Sequence, residues 1–197
     1  MTLTRTSPAA ARRAAAPLTG PRVALRPFEA QDLTPRYVGW LNDPEVTRYL
    51  EVGKRPVTRE EAAAYVRQFL DGSAGRLFAI IDQATGRHIG NVTLNRIDRR
   101  RGTANTGLMI GERSFWGRGY ATEAWSLLLA YAFTTLGLGA ITAGAVVGHD
   151  ASIRTLRRLG FKLESTVHLA GVGFSWDTYR FSLRLADFRM AASAGHA

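Results

Sequence analysis

The stretch richest in possible chemistry is IGERSFWGRGYATEA, Ile110–Ala124. Its pattern reads as a strand end, a glycine-rich loop (Gly117, Arg118, Gly119) and the start of a long helix. Glycines let successive backbone amides converge on one point, and a helix start adds partial positive charge. Together they form a nest for a diphosphate, to which Arg113 and Arg118 add charge-assisted contacts. The same residues also fit a plain strand-to-helix turn. No Gly-Lys-Ser/Thr follows, so the loop is not a P-loop, and the third glycine of the dinucleotide fingerprint is missing. A second stretch, HDASIRTLRRLGF, His149–Phe161, again leads from a strand into a helix. Ser152 falls in the first turn, where a hydroxyl caps the helix or donates to a ligand atom lying between two strands. The chain has no cysteine, which removes disulfides, thiolate metal sites and a thiol nucleophile together. The four histidines, His88, His149, His168 and His196, show no paired-ligand spacing, so no metal is expected.

The elements that must position these residues follow from periodicity and caps. Val23, Leu25 and Phe28 suggest a short strand near 22–28. A helical stretch is expected from about Ala30, with Leu33, Tyr37, Trp40 and Leu41 on one face. Asn42-Asp43-Pro44 ends it and starts a short helix over 44–50. Thr58 and Glu61 form a capping box for a helix over 59–70. Strands are expected at 77–82, 88–97 and 104–111, with a turn at 83–86 and a very basic turn at 98–102. A long amphipathic helix runs over 119–136, through Trp125, Leu128, Leu129 and Phe133. A strand at 141–147, a helix at 151–159 closed by Gly160, and strands at 161–168 and 176–185 complete the chain. This order gives an α/β (α+β) fold, a mixed and mostly antiparallel sheet of about six to seven strands flanked by helices.

Length and charge bound the function. The chain has 197 residues, 46% of them hydrophobic and 21% charged, which suits one globular domain. Residues 1–20 are rich in Ala, Thr, Pro and Arg and are expected to be a disordered extension. Residues 21–190 are expected to be one domain and 191–197 a frayed tail. No stretch reaches the length of a membrane span and none reads as a signal peptide, so a cytoplasmic protein, monomer or homodimer, is expected. The net charge is +10, and all but Lys54 and Lys162 of the 26 basic residues are arginine. Arg5, Arg12 and Arg13 lie in the extension, leaving +7 for the remainder. Either the composition is generally arginine-rich, or the partner is anionic: nucleic acid, a nucleotide or a phosphate-bearing cofactor.

The loop WGRGYATEA (116–124) and the segment HDASIRTLRRLGF (149–161) resemble the two hallmark segments of the GNAT acetyltransferases. The resemblance extends over 21–187. It is closest to the branch that holds ribosomal-protein N-terminal acetyltransferases and amino-sugar acetyltransferases. ALRPFEAQDL (24–33), WLNDPEVTRYLE (40–51), TGLMIGE (106–112) and HLAGVGFSWDTYRFSL (168–183) carry it in order.

The resemblance implies the GNAT fold, with a splayed parallel strand pair at 104–111 and 141–147, and a site for acetyl-coenzyme A between those strands. Backbone groups of Leu108, Met109 and Ile110 would pair with the pantetheine arm, and an amide at Met109 would polarise the thioester carbonyl. The amides of Gly117, Arg118, Gly119, Tyr120 and Ala121 would hold the pyrophosphate, next to Trp116. His149 stands where Asn often opens the second segment and is expected to touch the pantetheine arm. Leu156 replaces a common tyrosine acid and Asn105 a common glutamate, and neither exchanges a proton.

Ser152 is then the candidate donor to the departing thiolate, and His168 the candidate base, since a histidine titrates near working pH. Glu112 and Asp177 are the other candidate bases; Asp177 would otherwise anchor the amine or brace a loop, and a water chain would remove the proton if no side chain does. With no thiol nucleophile, transfer is expected to be direct. A small amine such as a nucleotide-linked amino sugar is the favoured acceptor, because arginines favour a diphosphate and a basic domain repels basic ribosomal proteins. Trp40 and Tyr49 would stack on its ring. N-terminal acetylation of a (ribosomal) protein is the alternative. A further alternative is a non-catalytic module whose Arg96, Arg99, Arg100 and Arg101 bind nucleic acid, although no aromatic platform accompanies them.

Overall fold

A computed structural model describes residues 17–188. The extension assigned to 1–20 therefore lies, apart from residues 17–20, outside the described residues, as does the tail at 191–197. Eight strands form one sheet: β1 (Leu18–Thr19), β2 (Val23–Pro27), β3 (Gly75–Asp82), β4 (His88–Asp98), β5 (Thr103–Ile110), β6 (Ala140–Val146), β7 (Lys162–Gly171) and β8 (Phe174–Arg184). Their spatial order is β1-β2-β3-β4-β5-β6-β8-β7. Every neighbouring pair is antiparallel except β5 and β6. The strand beyond the expected seven is β1, a two-residue edge paired Leu18 to Leu25 and Thr19 to Ala24. It lies inside the segment expected to be an extension; backbone pairing, not side-chain pattern, places it in the sheet.

Helices flank the sheet, among them α1 (Pro35–Asn42), α2 (Pro44–Thr47), α3 (Arg59–Leu70), α4 (Tyr120–Ala130) and α5 (Asp150–Arg158). The helix expected from Ala30 is instead a single 3-10 turn, Ala30–Asp32, followed by α1 with Thr34 as its cap. Pro35 has no N–H to continue an earlier helix but is preorganised to begin one. Asp43 caps α2, which ends at Thr47 rather than running to residue 50. The capping box of Thr58 and Glu61 forms as the spacing predicts. The long helix is α4 for 11 residues and then a π turn over Tyr131–Thr135. Among the described residues, no helix is long and apolar enough to cross a membrane.

The sheet is apolar on both faces through β3, where Phe78 and Ile80 alternate with Leu77 and Ala79. Phe78 and Ile80 join Leu25, Leu94, Leu128, Leu129, Ile141, Leu156 and Leu183 in the larger core, beneath α4 and α5. Leu77 and Ala79 join Phe28, Tyr37, Trp40 and Val66 in the smaller one, beneath α1–α3. That second layer stops short of β6 and β8. There the face shared by Thr142, Gly144 and Arg180 is exposed.

Candidate active site

The parallel pair is the sheet's one opening. β5 and β6 pair from Thr103 with Ala140 to Thr106 with Ala143 and then part. Above that point β5 stays with β4, Leu108 opposite Val92 and Ile110 opposite Gly90. β6 stays with β8, Gly144 opposite Arg180 and Val146 opposite Thr178. The base of the V is locked. The Asn105 amide donates to Thr142 O at 3.2 Å and to Thr142 Oγ1 at 3.1 Å. The buried Thr106 hydroxyl accepts from Trp125 Nε1 at 3.1 Å and donates to Thr93 O at 2.8 Å, tying β5 to α4 and β4.

The ladder decides which groups face the opening. Gly111 N donates to Ile89 O at 2.9 Å, which makes Gly90 and Ile110 a pair without mutual hydrogen bonds. Alternation then turns the N–H and C=O of Met109 toward Asn91. Consistently, a Cβ on Gly90 would lie 2.3 Å from the Met109 carbonyl oxygen. The amides facing the V are those of Leu108 and Ile110, not Met109. This corrects the expectation for the polarising amide; the backbone of Met109 is spent on β4. The Ile110 carbonyl accepts from Trp116 Nε1 at 2.8 Å, so Trp116 closes the outer end of the edge.

The loop after β5 builds an amide nest. Gly117 and Gly119 have φ of 70° and 84°, values that a side chain resists. Gly119 is the N-cap of α4 and offers no side-chain cap. Among the described residues, no amide from Gly117 to Thr122 finds an acceptor. The loop is nonetheless rigidly held. Glu123 accepts from Arg22 N at 2.7 Å, Val23 N at 2.9 Å and Arg22 Nε at 3.0 Å. Arg22 Nη1 donates to Arg118 O at 2.8 Å, and its guanidinium lies 5.0 Å from the Tyr120 ring centre. Tyr120 is buried and donates to Asp82 Oδ1 at 3.0 Å, so only its backbone faces the nest. The Thr85 hydroxyl holds the Asp82 carboxyl below the usual range; burial opposes this and the Tyr120 hydroxyl adds to it.

Ser152 lies one turn into α5 and is half-buried. Its hydroxyl finds no partner among the described residues, and α5 starts without a side-chain cap. The capping role is therefore not taken, and the hydroxyl is available. His149 packs on Tyr49 with ring centres 4.3 Å apart, and Tyr49 Oη donates to Gly148 O at 3.3 Å. Burial lowers the pKa of the His149 ring, against an opposing effect of Asp150. These two residues, expected on the cofactor and the acceptor, are brought together as a clasp between the 48–57 segment and the β6–α5 loop.

Three expected residues fall elsewhere. Trp40 is buried in the smaller core, and a Cβ on Gly111 would collide with its ring at 2.0 Å; it cannot stack on a ligand in the V. His168 Nδ1 contacts Asp177 Oδ1 at 2.9 Å, and its Nε2 contacts Ser175 Oγ at 3.1 Å. That cluster lies on the opposite face of β8 to Thr178 and Arg180, because side chains alternate along a strand. β7 is the sheet edge, two strands from β5's parallel partner. His168 as base and Asp177 as amine anchor are thus not brought to the open face. Glu112 is held by Arg87 at 2.8 Å and Trp40 Nε1 at 3.3 Å. Leu156 is fully buried. Periodicity missed Thr178 and Arg180, which the register across β6 and β8 puts on the open face, and Lys54, which lies over the Trp176 ring.

Residues 22–162 match the acetyltransferase (GNAT) domain family. The chain is 36% identical over 174 residues to the N-acetyltransferase p20 of Bacillus licheniformis, covering 85% of this chain and 95% of that one. It is 30% identical over 175 residues to the spermidine N(1)-acetyltransferase of Escherichia coli K12, covering 88% and 90%. Among solved structures, a spermidine N-acetyltransferase from Vibrio cholerae, in complex with CoA and spermine, shares the fold with a TM-score of 0.75 at 22% identity, covering 86% of this chain and 99% of that one. The chain belongs to the GNAT acetyltransferase family. It is an enzyme that transfers acetyl groups from acetyl-coenzyme A to amines. The residues present fit that cofactor: the acceptor-less amides of Gly117–Thr122 suit a pyrophosphate, and the free edge of Leu108 and Ile110 suits an extended amide-bearing arm.

Proposed function

We propose that the acceptor is a small anionic amine, an amino sugar carried on a nucleotide. The observation that carries this is the open sheet face beside the V. Its floor is Asn105, Gly107, Thr142, Gly144 and Arg180, with no carboxylate among them. Glu164, on β7, is engaged by the Ser182 hydroxyl. Arg180 makes no ion pair among the described residues. A polyamine needs carboxylates to compensate its several charges, whereas a free guanidinium favours phosphate. Gly107 and Gly144 leave the backbone on both sides of the V uncovered, so an acceptor can approach it closely.

Acetyl-coenzyme A supplies the activated acetyl group. The Gly117–Thr122 amides bind its pyrophosphate, and the Leu108 and Ile110 amides orient the arm and the carbonyl. Ser152 donates a proton to the departing thiolate. With His168 turned to the other face, water in the V takes the proton from the amine. The absence of cysteine supports direct transfer rather than a thiol-linked intermediate.

The test is an acceptor competition read by thiol release and product mass. A nucleotide-linked amino sugar, spermidine and an N-terminal peptide are supplied at equal concentration. Preferential turnover of the amino sugar is expected. Turnover of spermidine or the peptide alone overturns the acceptor class and leaves the acetyltransferase intact.

A further inference from the structure

We propose that the cavity between the 51–57 segment and the β7–β8 turn is a binding subsite for the base of a nucleoside diphosphate. This rests on the acceptor reading above and extends it to the distal end of the acceptor. The cavity is about 380 Å³ and is walled by Val52, Val57, Val172 and Phe174, with Glu51 and Lys54 also lining it. Val172, at the tip of the β7–β8 turn, is 86% exposed and forms the outer wall of the cavity.

The cavity continues the open floor. Thr178 and Gly144 share a face, since a Cβ on Gly144 would lie 3.3 Å from Thr178 Cγ2. Alternation along β8 places Arg180, Trp176 and Phe174 on that face too. From Arg180 to Phe174 the strand rises roughly 20 Å at ~3.4 Å per residue. Its chemistry changes in order. Arg180 is exposed and unpaired among the described residues. Thr178 is 7% exposed and its hydroxyl has no partner. Lys54 Nζ lies 4.7 Å from the Trp176 ring centre and donates to Thr47 O and Arg48 O, so its third N–H is left for a ligand. Phe174 stacks on Trp176 with centres 4.8 Å apart and planes at 30°, and then the apolar cavity opens.

Amine at the V, cations midway and an apolar, aromatic-walled end match a sugar, a diphosphate and a base. A base stacks on an aromatic face, ammonium and guanidinium groups take phosphate oxygens, and the Glu51 carboxylate accepts an N–H from the base edge. Arg55 is not counted among the phosphate ligands, because Glu61 holds it at 2.6 Å. A polyamine has no ring to stack on Phe174 and is repelled by both cations.

The test titrates uridine diphosphate calorimetrically into the enzyme saturated with coenzyme A, so that the cofactor nest is filled. Binding to the wild type is expected, with affinity at least about tenfold weaker in Phe174→Ala, the loss that one base–aromatic contact carries, and likewise at least about tenfold weaker in Val172→Asp, which puts a carboxylate into the apolar wall beside an anionic ligand. Coenzyme A affinity stays unchanged in both. Val172→Asp alters an exposed side chain and leaves folding intact, so it remains decisive if Phe174→Ala misfolds. No uridine diphosphate binding to the saturated enzyme, or equal binding in both variants, overturns the subsite. Binding without turnover of nucleotide amino sugars retains the subsite and removes the proposed acceptor. Equal KM for free and nucleotide-linked amino sugars retains the acceptor amine and overturns the subsite.

Discussion

The two sides of the V are built by opposite means. On the side read above as the cofactor's, the groups that face the opening are backbone amides, and buried side chains hold them from behind. Glu123 takes three N–H groups from the start of β2, and Tyr120 is anchored on Asp82. On the side proposed for the acceptor, the groups that face the opening are side chains on an open floor. The segment across it is tied down by a few contacts: Tyr49 on His149, Lys54 on Trp176 and on the carbonyls of Thr47 and Arg48. A backbone nest recognises what every member of the family binds and tolerates little change. Side chains on a loosely strapped floor can be replaced without disturbing the fold, which is where acceptor preference can diverge.

The largest effect expected from breaking the cofactor side is that of Gly119→Glu. It places a side chain at φ 84°, 3.2 Å from Arg22 Nη2 at the Cβ, and puts negative charge into the nest proposed for the pyrophosphate. Coenzyme A affinity should fall by at least about 100-fold, from left-handed strain and lost dipole attraction combined. Unchanged calorimetric affinity would remove the nest from this loop.

Ser152→Ala should come next, lowering kcat by roughly 10–100-fold with little change in coenzyme A affinity. A matching rise in the cofactor Kd with kcat intact would make the hydroxyl a binding group only.

The pH dependence should separate the two sides. The His149 pKa is lowered by burial, so its neutral form is the one packed on Tyr49. That contribution is complete above the unfolded value of about 6.5 and is lost as pH falls through the folded value. The Asp82 pKa is also lowered, but its contribution persists until pH falls below the unfolded value of about 3.9 and through the folded one. Amide protection factors in residues 48–57, taken against the intrinsic rate at each pH, should therefore fall on mild acidification, while the Tyr120 region stays protected until the carboxylate range. His149→Phe should abolish the first transition and leave the second. Simultaneous opening of both regions would show them to be one cooperative unit.

The smallest effect is expected from His168→Ala, with kcat changed by no more than about twofold, against the ~100-fold or more of a true general base. Loss of the acid limb of the pH–rate profile in this variant would restore His168 as the base.

Local chemistry made much of this protein readable along the chain. Gly117 and Gly119 ahead of the Trp125–Phe133 stripe mark a strand-to-helix nest, because only glycine takes the left-handed backbone there without cost. Asp43 and Thr58 mark helix starts, since their side chains satisfy free amides a few residues away. A compact apolar run marked β3, and Val92 and Leu94 on one face marked β4. The extent of α1 and of the long helix was less legible, because a proline start and a π turn both interrupt a periodic pattern without erasing it. Hydrogen-bond register carries no signature in residue type, so only the folded sheet shows that Met109 turns to β4 while Leu108 and Ile110 face the V. Residue type likewise marked Trp40 and His168 as ligand candidates, but neighbours distant in sequence decided otherwise. Gly111 packs on one, and Ser175 and Asp177 hold the other on the far face. Thr178, Arg180 and Lys54 meet only when β8 pairs with β6 and the 48–57 segment crosses above. Propensities, caps and glycine conformations are properties of a few consecutive residues and were present in the sequence. Which face a side chain occupies beside residues a hundred positions away is a property of packing, and the tertiary structure alone determined it.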